Sequence, residues 1–142
     1  MRVLTWNLKH GRAVPPARRD RFEEFASALS GWEWELALLQ EVPPWWPARL
    51  AERLGVAERH ALSSRNSLLA LRQAIAVRWP DAIKSGGGGA NAILVRGAAI
   101  AEHRVQRLAW MPERRWVHAV RLVPGLWVAN LHTDSRAAQG IR

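Results

Sequence analysis

Hydrophobic residues recur along the first third of the chain in two periods, one typical of strands and one typical of helices. Residues 3–7 alternate between apolar and polar positions, which predicts a short strand. Residues 36–40 form a compact apolar run of strand length, and Glu41 lies at its exit, before a Pro-Pro pair. Residues 17–29 between them carry apolar side chains at helical spacing. The order strand, helix, strand predicts an α/β fold.

The rest of the chain predicts two more helices and a second half rich in strands. Residues 46–54 and 67–79 carry apolar side chains every three or four positions, and Gly55 is placed to cap the first of these helices. Strands are predicted at 91–95, 100–108, 116–123 and 126–132, with a Pro-Gly turn at 124–125 between the last two. We expect one mixed sheet with helices on its outer face.

Composition limits the class of protein. The 142 residues allow one domain, and no apolar stretch approaches the roughly 18–20 residues that span a bilayer. The chain has no cysteine and no apolar signal-peptide core, which favours a cytoplasmic setting. Its net charge of +9 attracts polyanions, but the arginines are scattered. The charge therefore fits a solvated basic surface as well as a phosphate-attracting face.

Polar residues with chemical potential lie near the ends of predicted strands. Glu41 is a candidate metal ligand, since a carboxylate at a strand exit is held on a rigid element. Asn130 and His132 are two residues apart on the last predicted strand, so both side chains leave the same face and can meet one ligand. Taken alone, a histidine in a strand is more often a structural residue than a catalytic one. The other histidines show no comparable partner at strand spacing: His10, His60, His103 and His118.

Four short segments in one order change this picture. They are Thr5-Trp6-Asn7, Leu39-Gln40-Glu41-Val42, the segment 89–96 around Asn91, and Asn130-Leu131-His132. From Arg2 to about Asp134 the sequence resembles the endonuclease/exonuclease/phosphatase superfamily, which includes deoxyribonucleases, abasic-site endonucleases, inositol-polyphosphate phosphatases and sphingomyelinases. Each segment is short, but the occurrence of all four in the same order along the chain is specific for this superfamily.

The resemblance implies a divalent-metal-dependent phosphoester hydrolase, either a nuclease or a phosphodiesterase, that uses magnesium or manganese. It implies that Glu41 coordinates the ion and that Asn7 positions the ion or the phosphate. Asn130 and His132 would face the scissile phosphate, with His132 binding it or donating a proton. There are two weaker phosphate-binding candidates. Arg115 lies just before a predicted strand, and Asn91 lies in the matched segment 89–96.

The chain also departs from the family pattern. The family fold is a two-sheet, four-layer α/β sandwich about twice as long, and the Gly-Asp-x-Asn and Ser-Asp-His type motifs of its second half have no counterpart here. Asp134 is not expected to replace them. We therefore expect 1–142 to be a single partial domain, truncated at the C-terminus and inactive or incomplete alone. Its inner sheet face would then be bare at Val3, Leu39 and Ile93.

The sequence leaves other functions and partners open. A non-catalytic nucleic-acid-binding module would use the arginines and tryptophans, and its affinity would depend steeply on salt. A structural half-domain would complete its core with another chain and fold in a concentration-dependent manner. The partners expected are a phosphoester substrate such as DNA or RNA, a missing C-terminal half, or a second copy of the chain. The sequence does not fix the substrate, the metal or the oligomeric state.

Overall fold

The computed structural model describes residues 1–63, 68–79, 88–109 and 115–132, and the side chains of residues 109 and 115 lie outside that description. The helices and strands of these ranges are β1 (Val3–Asn7), α1 (Phe22–Gly31), β2 (Leu36–Val42), α2 (Trp46–Leu54), β3 (Ala57–Leu62), α3 (Leu69–Arg78), β4 (Ala90–Val95), β5 (Ile100–Ala109), β6 (Arg115–Leu122) and β7 (Trp127–Leu131). A 3-10 turn, Lys9–Gly11, follows β1. Among the described helices, none has both the length and the apolar character to cross a membrane.

The predicted elements are present, and one strand is added. The first helix begins at Phe22 and not at residue 17, and the other ends differ from the prediction by at most two residues. The sequence pattern did not indicate β3, because its six residues contain no apolar run and three of them are ionisable. Gly55 ends α2 in the left-handed conformation, with φ 65°, as the capping pattern predicts. The antiparallel pairing of β6 with β7 confirms the hairpin around Pro124-Gly125.

The strands form two sheets and not the expected single sheet. The first has the order β1-β2-β4-β3, with β1 parallel to β2 and the other neighbours antiparallel. The second is the antiparallel meander β5-β6-β7. The last three strands pair with their chain neighbours because antiparallel strands need only short connections. The α/β fold class is confirmed, and the single-sheet expectation is corrected.

The two sheets pack face to face through an apolar layer. The expected bare inner face is wrong, because Ile93 is fully buried between the sheets and Leu39 is fully buried on the helix side. Val3, on edge strand β1, is exposed. The buried side chains of the layer are Leu36, Ile93, Val95, Val120 and Leu122.

Helices α1 and α2 cover the other face of the first sheet, and Trp46 lies at the centre of this contact. Its buried ring packs edge-on against Phe22, with ring centroids 5.5 Å apart, and against Phe25 at 5.3 Å. Aromatic pairs of this geometry add stabilisation beyond the area they bury. The start of α2 is therefore fixed close to the carboxyl ends of β1 and β2.

The turn after β1 has an uncommon backbone. Lys9, His10 and Gly11 all have positive φ, at 49°, 55° and 72°. A left-handed conformation costs about 1–2 kcal/mol for a residue with a side chain, so the surroundings must hold this turn. The backbone N–H of Leu8 donates to the Gln40 carbonyl at 2.8 Å, which joins the turn to β2.

We expect Gly11→Ala to destabilise the protein by about 2–4 kcal/mol. The added Cβ would lie 2.6 Å from the buried ring of Trp46, and the residue has φ +72°. Gly31→Ala is the matched control, since its Cβ meets no atom within 4 Å. Urea unfolding followed by tryptophan fluorescence measures both variants, and equal losses of stability would contradict this account.

Candidate active site

Three strands of the first sheet bring their ends to one edge. Because β1 and β2 run parallel, with Asn7 paired to Gln40, Asn7 and Glu41 leave the sheet at the same edge. Strand β4 runs antiparallel to β2 and begins there, with Ala90 opposite Val42. Two of the predicted site residues, Asn7 and Glu41, therefore lie on adjacent strands at this edge.

Asn130 joins the second sheet to this edge. Its Nδ2 donates to the carbonyls of Leu39 and Ala92, both at 2.9 Å, and its Oδ1 accepts from Gln40 Nε2 at 3.0 Å. The side chain is only 1% exposed. The expectation that Asn130 faces a phosphate is therefore corrected: its amide is used in bonds to the opposite sheet, and it positions β7.

Strand β7 ends at Leu131, and the next residue, His132, contacts Glu41. His132 Nε2 lies 3.2 Å from Glu41 Oε1, and the two side chains are 30% and 29% exposed. Glu41 has φ 49°, a conformation that residues other than glycine rarely adopt. Such conformations cluster at functional sites, where the surrounding structure holds them. The structure thus brings two predicted site residues into contact at a solvent-accessible edge.

His10 is a third member of this group, which the sequence pattern did not indicate. Its Nε2 lies 3.5 Å from Glu41 Oε2, and its Nδ1 lies 3.1 Å from the Gly88 carbonyl oxygen. The side chain is 16% exposed, and burial lowers the pKa of His10 below the ordinary value for histidine. His10 lies in a turn, where strand spacing does not apply. Its nearness in sequence to Asn7 is a signal that could have identified it.

The remaining candidates are not gathered around Glu41 in the same way. Asn7 is exposed, and its Oδ1 accepts a hydrogen bond from the backbone N–H of Lys9 at 2.9 Å. Asn91 is buried, which leaves it no surface for a phosphate, and its Oδ1 has no hydrogen-bond partner among the described residues. The side chain of Arg115 and all of Asp134 lie outside the described part of the chain.

The donors at this edge fit an open ion site better than a closed one. Glu41 offers carboxylate oxygens, which magnesium and manganese prefer, and magnesium is often held by one or two carboxylates with water and phosphate oxygens. Within the ranges that the structure describes, no three His, Asp or Glu side chains are grouped closely enough to enclose a metal ion. An ion at Glu41 would therefore take most of its ligands from water and substrate.

Solved structures share this architecture. The crystal structure of an endonuclease/exonuclease/phosphatase from Beutenbergia cavernae aligns with 93% of this chain at a TM-score of 0.67 and 22% identity. The fold is that of endonuclease/exonuclease/phosphatase structures. A family protein from Bacteroides thetaiotaomicron aligns with 94% of this chain (TM-score 0.60, 16% identity). A mannosyl-6-phosphatase from the same organism aligns with 96% of it (TM-score 0.57, 15% identity).

These alignments cover the chain almost completely but only part of each matched protein. The chain spans 38% of the Beutenbergia protein, 50% of the Bacteroides family protein and 54% of the mannosyl-6-phosphatase. The sequence itself matches no family model and no curated protein. At these identities the likeness establishes the fold alone.

Other histidines also have partners, contrary to the expectation from spacing. His103 Nε2 lies 3.2 Å from Nδ1 of buried His118, and burial lowers the pKa of His118 to about 4. His60 Nδ1 lies 3.1 Å from Glu58 Oε2, a hydrogen bond that raises the pKa of His60. The first pair joins two strands, which spacing within one strand does not reveal. The second lies on the unpredicted strand β3.

We expect Asn130→Leu to destabilise the protein by about 2–4 kcal/mol. The substitution keeps the approximate size of the side chain, but it leaves the buried carbonyls of Leu39 and Ala92 without their donor. Gln106→Leu, on the exposed side of β5, is the control and is expected to change stability by less than about 0.5 kcal/mol. Chemical denaturation measures both, and unchanged stability in Asn130→Leu would refute the positioning role.

We expect His118 to make the stability of the protein depend on pH. The pKa in the folded protein, about 4, lies below the ordinary value of 6.5, so the unfolded chain binds the proton more readily. The stability contributed by neutral His118 is complete above about pH 6.5 and is lost as the pH falls toward 4, by about 3 kcal/mol at most.

The variant His118→Leu isolates this contribution, because it removes the titrating ring while the other histidines remain. The free energy of unfolding is measured for both proteins from pH 4.5 to 7.5. The wild-type value is expected to fall relative to that of the variant at the acidic end. Parallel curves for the two proteins would contradict the assignment.

Proposed function

We propose that this chain supplies the Glu41–His132 part of the active site of a divalent-metal-dependent phosphoester hydrolase. The observation that carries the proposal is the 3.2 Å contact between His132 Nε2 and Glu41 Oε1, at the edge where Asn7 also leaves β1. The fold shared with endonuclease/exonuclease/phosphatase structures supports it. Since the chain spans only part of those proteins, the activity of the whole protein belongs to the proposal as well.

Each residue has a role that its position allows. Glu41 presents its carboxylate from a strained backbone and would hold the proposed magnesium or manganese ion. When bound, that ion would neutralise negative charge on phosphate oxygens. The half-buried imidazole of His132 donates a hydrogen bond or a proton from Nε2 to a phosphate oxygen. The exposed amide of Asn7 orients the same phosphate or a water beside it. Asn130 holds β7, and therefore His132, in place.

We propose a phosphodiester, and within that class a nucleic acid, as the substrate. The net charge of +9 favours association with a polyanion. The alternative is a phosphomonoester, because one protein with this fold is a mannosyl-6-phosphatase. Hydrolysis of bis-p-nitrophenyl phosphate against p-nitrophenyl phosphate separates the two classes.

We expect the chain to bind inorganic phosphate in the presence of Mn²⁺ and to lose that binding in EDTA. Glu41→Gln removes the negative charge of the proposed ion ligand and should weaken Mn²⁺-dependent phosphate binding by about 10-fold to 100-fold. Where the diester is hydrolysed, Glu41→Gln and His132→Asn should each lower kcat/KM by about 100-fold or more. Calorimetry measures the binding, and release of p-nitrophenolate measures the turnover.

The matched controls are Glu33→Gln and His60→Gln, which change the same residue types outside the site. Both are expected to leave phosphate binding and turnover unchanged. Phosphate binding that is indifferent to EDTA and to Glu41 would overturn the proposal. The binding assay reports on this part of the site even if the chain alone does not turn substrate over.

A further inference from the structure

His10 has the hydrogen-bonding arrangement of a metal-binding histidine. Its Nδ1 lies 3.1 Å from the carbonyl oxygen of Gly88, and a carbonyl only accepts, so Nδ1 carries a hydrogen and donates it. In the neutral ring, Nε2 then carries the lone pair. Histidines that bind metals usually donate their other ring N–H to a carbonyl or a carboxylate in this way.

The other ring nitrogen, Nε2, lies beside a carboxylate. Nε2 lies 3.5 Å from Glu41 Oε2. Either a proton on Nε2 or a cation bound between the two atoms makes this approach favourable. Two ligands that are each about 2.0–2.2 Å from one ion lie about 3.0–3.5 Å apart, so the observed separation is that of two ligands sharing an ion.

The backbone on both sides of this pair is strained and firmly held. His10 has φ 55° and Glu41 has φ 49°. The hydrogen bond from Leu8 to Gln40 and the contact of Gly11 with Trp46 fix the turn against β2. The nitrogen and the carboxylate are thus preorganised, which an ion site requires.

We propose that His10 Nε2 and Glu41 Oε2 together bind the divalent ion, and that the nitrogen ligand makes the site favour Mn²⁺, Co²⁺ or Zn²⁺ over Mg²⁺. Imidazole suits transition-metal ions, whereas Mg²⁺ takes oxygen ligands. The inference rests on the proposed function for the ion at Glu41, and it adds a ligand and an ion class. His132 lies on the other carboxylate oxygen, Oε1.

The test is electron spin-echo modulation of Mn²⁺ bound to the whole chain, because a ligated imidazole gives a nitrogen signal. His10→Asn keeps an amide that can donate to Gly88 but removes Nε2. It should abolish the nitrogen signal and weaken Co²⁺ and Zn²⁺ binding by about 10-fold to 100-fold, with little change for Mg²⁺. His132→Asn and His60→Asn should keep the signal.

Each other outcome counts against the inference. A wild-type chain that binds Mn²⁺ through Glu41 without a nitrogen signal overturns the His10 ligand and leaves the proposed function standing. A nitrogen signal that persists in His10→Asn, or one that disappears in His132→Asn, also overturns the assignment of His10 as a ligand and leaves the proposed function standing. Mn²⁺ binding that survives Glu41→Gln overturns the inference and the proposed ion site together. Circular dichroism confirms folding, and His10→Gln, which should also lose the nitrogen signal, is the second variant if His10→Asn does not fold.

Discussion

The buried amide of Asn130 is the interaction on which the geometry of the site depends. It connects β7 to the backbone of both β2 and β4 across the interface between the sheets. Leaving these buried groups unpaired would cost about 1–3 kcal/mol each, so the register between the two sheets is strongly fixed. Since His132 follows two residues later, that register brings its ring within 3.2 Å of Glu41.

The other side of the site depends on packing of a different kind. The turn after β1 lies against Trp46, which itself lies among the aromatic rings of α1. This contact tolerates only glycine at position 11, and it holds His10 in a left-handed conformation close to Glu41. Two separate cores, one between the sheets and one under the helices, therefore each place one imidazole on the same carboxylate.

Local sequence patterns were sufficient for part of this structure. The alternation of β1, the four-residue spacing of α2 with Gly55, and the Pro-Gly hairpin are local features, and the structure has them. Which sheet a strand joins is a non-local property, so the second sheet was not predicted. The spacing of Asn130 and His132 indicated a shared face but not that the amide would bind the opposite backbone. His10 was not predicted as a site residue because it lies in a turn, where side chains have no regular spacing.

The central claim is that the Glu41 carboxylate, flanked by His10 and His132, is the place where a divalent ion meets a phosphate. Crystals of the chain grown with Mn²⁺ and phosphate, with anomalous diffraction at the manganese edge, test it most directly. The account predicts a manganese peak within about 2.3 Å of a Glu41 oxygen, with a phosphate oxygen beside it and near His132 Nε2. A phosphate or manganese site elsewhere, with Glu41 still paired to both histidines, would contradict it.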